Sequence, residues 1–265
     1  AAGPAASPTA PLTAHLTFQF SDTAAYALGK RHRAREAGLW AVDPPDYYTL
    51  GRFVTLRGPL LSAADLQSIE HAAPRWSPER HLALDALQRS VVRDLLALAT
   101  ALNATLVMPS LQCACDRFWG LTDGCLITRR NGFPHGPAEM PLPFACPMDM
   151  MYDLGRWERA GIRYRESSFL EHPSLAREVL DNAVHLTVRT TRADVSDGRA
   201  APDDLFEAEV EPGSTWPDVA SAVLSANRDA RLVEVGVADL RRLCRSFGEA
   251  ERTRRFNRLA SYVLT

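Results

Sequence analysis

The sequence predicts an α/β fold, a Rossmann-like parallel sheet with helices on both faces, and three helix-and-strand units predict it. A helix over residues 78–102 runs, after Asn103, directly into the apolar strand Thr105-Leu-Val-Met108, which Pro109 closes. A strand at 161–165, a helix over 173–184 and a strand at 185–189 make a second unit. A strand at 231–235 followed by helices over 238–247 and 249–262 makes a third. Near-continuous apolar strands joined by helices belong to parallel sheets covered on both sides.

The elements follow from local patterns. In the long helix Leu84, Leu87, Val91, Leu95, Leu98 and Leu102 recur at steps of three and four and form one apolar stripe. Ser77 is its N-cap, Pro78 its first helical residue, and Glu79 adds a negative charge in the first turn. Upstream, residues 1–14 are Ala, Pro, Ser and Thr without apolar period and read as a disordered linker; they lack the basic and apolar regions of a signal peptide. Alternation in His15-Leu-Thr-Phe-Gln-Phe20 predicts a short strand. A basic cluster, Gly29-Lys-Arg-His-Arg-Ala-Arg-Glu36, precedes the stiff loop Asp43-Pro-Pro-Asp-Tyr-Tyr48, whose proline pair no helix crosses. Residues 109–160 read as irregular and 191–217 as a polar, acidic loop.

Composition narrows the function classes. A net charge of −2 over 265 residues argues against a general nucleic-acid binder. The longest apolar run, near 95–102, is far short of the roughly 20 residues of a membrane span. Among 30 basic residues Lys30 is the only lysine, and the chain begins Ala1-Ala2-Gly3-Pro4 without methionine, which predicts a fragment or a processed chain.

Cysteines fall at 113, 115, 125, 146 and 244, four of them in the irregular stretch. Cys113, Cys115, Cys125 and Cys146 lack the paired Cys-x-x-Cys spacing of zinc knuckles. Separate buried thiols are one reading. Disulfides are the favoured one, because a long loop without regular structure needs tethering; four cysteines allow three pairings, and the sequence leaves these open. Cys244 reads as a packed thiol in a helix. Asn103-Ala-Thr105 is a glycosylation sequon placed where a helix meets a buried strand.

Several blocks, in order, carry a family resemblance: His15-Leu-Thr-Phe-Gln19, the cluster from Gly29 to Ala37, Asp43-Pro-Pro-Asp-Tyr-Tyr48, Leu102-Asn-Ala-Thr-Leu-Val-Met-Pro109, Cys113, Asp116-Arg-Phe-Trp119, Cys146-Pro-Met-Asp149, Arg165-Glu-Ser-Ser-Phe-Leu170 with Pro173-Ser-Leu175, and Phe247-Gly-Glu-Ala-Glu-Arg252. Together they resemble the carboxyl-terminal half of the plant and green-algal arabinosyltransferases of glycosyltransferase family 77, which modify hydroxyproline-rich cell-wall glycoproteins such as extensin. The resemblance spans about residues 12–264, with an unmatched insertion near 191–216. It implies a type II membrane enzyme of the Golgi lumen that moves L-arabinofuranose from a UDP-sugar to arabinosylated hydroxyproline with retention. It also implies an Asp-x-Asp motif holding Mn or Mg on the diphosphate. No Asp-x-Asp occurs in this chain. The expectation is therefore a fragment: 1–14 a linker, 15–60 the last strand and basic segment of a missing nucleotide-sugar domain, and 61–265 a carboxyl-terminal α/β domain. The motif and the membrane anchor would lie before Ala1, and no cofactor is assigned to the fragment itself.

Glycosyl transfer needs cations on the leaving diphosphate. The family position makes His15 a candidate metal ligand, against the plain reading of a structural histidine. Lys30, Arg31 and Arg33 combine a point charge with bidentate donors suited to a diphosphate, against the reading of a solvated basic turn. Asp116, Arg117 and Trp119 follow a strand's carboxyl end, where open α/β sheets place ligands, and Trp119 offers a face for a sugar; its plain reading is packing against a bridge. Glu166 is a weaker candidate for a general base. Two other functions remain in play. The long helix with Gln88 and Arg93, followed by its strand, loosely resembles the opening unit of metal-independent protein O-fucosyltransferases. The lack of an acidic motif also suits a non-catalytic module of an extracellular assembly.

Overall fold

Among the described residues eight strands order the chain: β1 (Phe53–Arg57), β2 (Thr105–Val107), β3 (Gln112–Cys113), β4 (Phe144–Ala145), β5 (Tyr164–Arg165), β6 (Ala183–Val188), β7 (Phe206–Val210) and β8 (Leu232–Gly236). The computed structural model describes residues 15–16, 26–73, 77–114, 144–189 and 206–245. Six of the strands form one sheet in the order β5-β2-β1-β8-β6-β7, and every pairing in it is parallel. This is the α/β architecture the sequence predicts. β3 and β4 form a separate antiparallel pair, bridged by the Cys113–Cys146 disulfide across a separation of 33 residues.

The nine helices of the described residues are α1 (Tyr26–Glu36), α2 (Asp46–Thr49), α3 (Ala63–Ala72), α4 (Pro78–Ala101), α5 (Met148–Met151), α6 (Leu154–Arg159), α7 (Arg177–Asp181), α8 (Trp216–Ala226) and α9 (Val237–Arg245). The Ser77 side chain caps α4 by accepting from the Arg80 amide, with Pro78 in the first turn. The far end of α4 is closed by Asn103 at φ 49°, a left-handed cap that asparagine tolerates better than most residues. Leu84, Val91, Leu95 and Leu98 are buried along one stripe.

Register assigns alternate strand residues to two faces. Val54, Leu106, Val184 and Val233 belong to the larger core, where α4, α8 and α9 lie against the sheet. Phe53, Val107, Ala183 and Leu232 belong to the opposite face, covered by Phe169, Val179 of α7 and Tyr48.

Several expectations change. β1 sits at the centre of the sheet, so a domain boundary after residue 60 would separate this strand from its partners β2 and β8. The expected acidic loop at 191–217 contains β7, whose alternation Phe206-Glu-Ala-Glu-Val210 buries Ala208 and Val210 against the core, and the first residues of α8. The helix expected over 173–184 is only Arg177–Asp181, because the Leu175 amide closes a turn on the His172 carbonyl, the Ala176 amide bonds to the Tyr48 carbonyl, and β6 begins at Ala183. The irregular stretch includes α5 and α6, capped by Asp153. The basic cluster is not a turn: it is most of α1, which buries Gly29, His32 and Ala34. The strand expected at 15–20 lies outside the described residues except for His15 and Leu16, which are not in a strand, and the helix expected over 249–262 lies outside them entirely.

Candidate functional site

After β1 the chain builds outward through β2 to β5, then crosses to β6 and β7 and returns as β8 beside β1. The order therefore reverses between β1 and β8. Open α/β sheets bind ligands outside the carboxyl ends of strands at such a reversal. A cleft of about 650 Å³ lies there, with Thr55 and Gly58 from β1 and its following turn, Ser167 and Ser168 after β5, Glu171, and Glu234 of β8 among its lining residues. Gly58, at φ 82°, lets the chain turn sharply from β1 toward α3, a conformation a side chain would strain. α3 starts at a capping box in which Ser62 and Asp65 bond each other's backbone amides.

The floor of the cleft breaks the apolar pattern of the sheet. Thr55, Glu234 and His185 are in register on adjacent strands and share one face. Arg57 Nη1 donates to His185 Nδ1 at 2.8 Å, and His185 Nε2 lies 2.7 Å from Glu234 Oε2. A guanidinium only donates, so Nδ1 is the acceptor and Nε2 carries the hydrogen given to Glu234. His185 is buried, so this chain fixes one carboxylate oxygen of Glu234 while the residue remains at the cleft surface.

A second polar assembly joins α1, the loop before α2 and the end of β5. Arg33 grips the fully buried Asp149 with two bonds, Nε to Oδ1 at 3.1 Å and Nη2 to Oδ2 at 2.6 Å. Gly29 is required opposite: a Cβ there would lie 2.2 Å from Asp149 Oδ2. Arg35 pairs with Asp43, which also accepts from Trp40 and Tyr48. The Tyr47 ring lies 4.2 Å from the Arg35 guanidinium and 3.9 Å from that of Arg165, and its hydroxyl donates to Glu166 at 2.7 Å.

The charges here are mutually held. Burial pushes the Asp43 carboxyl up, but its bond and attraction to Arg35, aided by Tyr48 and Trp40, outweigh this and leave it below the ordinary range. Burial likewise opposes Glu36, and contacts with His32 and Ser167 bring it below its usual value. The Tyr48 hydroxyl is pushed up to about 12 by burial and by Asp43. Tyr47 rises further, through burial and then the Glu166 charge.

The expected site residues separate. Lys30 is half-buried on α1 and makes no hydrogen bond or ion pair among the described residues. Arg31 pairs with Glu158 at 3.4 Å, and Arg33 is committed to Asp149. None of the three lines the cleft at the strand ends. Glu166 is buried and bonded to Tyr47, and does not open to solvent as a base. His15 is exposed. Asp116, Arg117, Trp119, Cys115 and Cys125 lie outside the described residues. Of the four clustered cysteines, Cys113 and Cys146 are joined; Cys244 is buried and forms no disulfide among the described residues. Among the described residues no group of three or more His, Cys, Asp or Glu side chains is placed to hold a metal. The residues that sequence reasoning passed over are Arg57, His185 and Glu234. Their signal was present: a histidine and a glutamate interrupt strands that otherwise read as continuously apolar.

Over 262 residues, 94% of its length, the chain is 29% identical to arabinosyltransferase XEG113 of Arabidopsis thaliana. It spans 36% of the length of that curated relative. The likeness to arabinosyltransferases read from the ordered sequence blocks thus extends through nearly the whole chain. No protein-family model matches the chain, and no solved structure matches it.

Proposed function

We propose that this chain is the carboxyl-terminal part of a glycosyltransferase that moves L-arabinofuranose from a UDP-sugar to arabinosylated hydroxyproline of cell-wall glycoproteins. The observation that carries the reading is the identity to an arabinosyltransferase along 94% of the chain. A cleft at the order reversal of a parallel sheet gives that activity a place to bind substrate. By the same resemblance the enzyme works in the Golgi lumen of the secretory pathway, anchored through a more amino-terminal segment. The disulfide suits that oxidising compartment.

On this reading Lys30 is the side chain of α1 left to approach a diphosphate, since Arg33 is held by Asp149, and Arg31 joins it by leaving its exposed pair with Glu158. The divalent metal of the proposed enzyme does not fit the described residues, which offer the exposed His15 but no cluster of ligands. No step is derived through it.

The test is to incubate the enzyme carrying this chain with UDP-L-arabinofuranose and an arabinosylated hydroxyproline peptide. Mass spectrometry should show one pentose gained per transfer, with UDP released. Failure to transfer from this donor, under conditions where the protein is folded, would overturn the reading. Lys30→Ala is expected to lower turnover roughly tenfold without changing thermal stability; an unchanged rate removes α1 from the donor site.

A further inference from the structure

We infer that the cleft at the strand ends is a subsite for a neutral, polyhydroxylated ligand, the acceptor glycan, with Glu234 as its anchoring hydrogen-bond acceptor. The identity of the ligand as acceptor rests on the transferase reading; the preference for a neutral polyol rests on the cleft.

Three features of the cleft point there. The first is Glu234 itself. A carboxylate on a central strand is costly to desolvate and is retained only where something compensates it. His185 Nε2 compensates one oxygen, Oε2, at 2.7 Å, and Arg57 behind the imidazole fixes the ring. The other oxygen, Oε1, has no hydrogen-bond partner among the described residues, on a side chain that lines the cleft. A rigidly oriented carboxylate with an open acceptor position is the group that sugar hydroxyls donate to.

The second is the sign of the wall. Its described lining contains two carboxylates, Glu171 and Glu234, and no lysine or arginine. A diphosphate placed there would face negative charge without a cation to neutralise it. Hydroxyls would not: they donate to the carboxylates and to the Ser167 oxygen, whose own hydrogen goes to Glu36, and accept from Ser168 and the Gln112 side-chain amide. The third is shape. Alongside these polar groups stand Leu60 and Leu170, suited to the C–H faces of a furanose ring, and about 650 Å³ accommodates a short saccharide. The donor's diphosphate is then left to another part of the enzyme, and the cleft selects what receives the sugar.

The experiment uses the enzyme carrying this chain, with an arabinofuranosyl-hydroxyproline oligosaccharide as probe. Ligand-observed NMR should show the oligosaccharide binding, with UDP failing to displace it. Glu234→Gln, which keeps the side-chain shape, should weaken that binding by about tenfold or more. In turnover it should raise the acceptor KM by a similar factor while the donor KM stays within about twofold. Ser168→Ala, in the same cleft but not bonded to the Arg57–His185–Glu234 chain, should weaken glycan binding about threefold and serves if Glu234→Gln fails to fold. Displacement of the glycan by UDP, or a rise in donor KM alone, overturns the proposal and makes the cleft the nucleotide site. An unchanged acceptor KM in a folded, active Glu234→Gln enzyme also overturns it and leaves the transferase reading standing. Glycan binding lost in Glu234→Gln, in a protein that transfers no arabinose, supports the subsite and removes the transferase reading instead.

Discussion

The two faces of the parallel sheet are built from alternate residues of the same strands, yet they are assembled on different terms. On one face Val54, Leu106, Val184 and Val233 meet the stripes of α4, α8 and α9, and apolar burial closes most of the contact, with the Val188 amide also donating to Asp239 of α9 at 3.1 Å. On the other, Phe53, Ala183 and Leu232 are covered by an aromatic layer only toward the amino ends of the strands. Toward the carboxyl ends the same rows become Thr55, His185 and Glu234, and the cover gives way to a cleft. On the second, polar side chains are kept beneath a surface that packing could have sealed, which marks it as the face where specificity is spent.

This contrast can be broken or sharpened by experiment. The largest effect belongs to the sealed face. Leu95→Ala, at a fully buried position of α4, should remove about 3–5 kcal/mol of unfolding free energy in a denaturant titration. A loss under about 1 kcal/mol would mean that α4 is not closed against the sheet. Nearly as large, Asp149→Ala removes the buried carboxylate that grips Arg33 with two bonds and should cost about 3 kcal/mol. Gly29→Ala should act through the same pair, because its new methyl overlaps the carboxylate. If instead both variants keep wild-type stability and alter only turnover, Arg33 returns to the site as a functional cation.

Removing the bridge with a Cys113→Ala, Cys146→Ala double variant should cost about 3–4 kcal/mol in the chain-entropy model for a closed loop of this separation, 33 residues. Calorimetry of the variant against the oxidised protein measures it. A smaller contribution comes from pH. Asp43 and Glu36 are held below their ordinary values in the folded state. Their contribution is therefore fully present above the unfolded values, about 4, and is lost as pH falls through the lower folded ones. Denaturation midpoints measured from pH 6 down to 2 should fall in that acidic window, and Asp43→Asn should flatten the fall. A stability that rises on acidification would show that these carboxylates are not the paired groups described. The smallest change in stability is expected at the cleft: Glu234→Gln preserves an acceptor for His185 and should alter the unfolding free energy by less than about 1 kcal/mol. A large loss would place the Arg57–His185–Glu234 chain among the structural pairs, with Arg33 and Asp149.

Much of the first face was legible because it follows from periodicity. The stripe of α4 and the run Thr105-Leu-Val are local patterns whose meaning does not depend on distant residues. The edge strand β7 and the helix α8 were missed because Glu207, Glu209 and Glu211 gave their surroundings an acidic, loop-like composition, although alternate residues are buried. α1 was read through its charge, and its structural partners are distant in sequence: Asp149 is 116 residues from Arg33, and Ser167 is 131 from Glu36. No spacing rule reports such pairs. The same holds for the cleft, where His185 and Arg57 are 128 residues apart.

The sequence by itself determined the α/β class, the principal helix with its N-cap, and the likeness to arabinosyltransferases, since these are written in local period and in ordered blocks of residue types. Only the tertiary structure decided which charges are committed and which remain to work. Arg33, conspicuous in the sequence, is held by a buried carboxylate; Glu234, unremarked there, lies at the reversal of strand order with one oxygen fixed by His185. The reason is physical. A side chain's chemistry is set by the groups around it and the water excluded from it, and both depend on which strands the fold brings side by side.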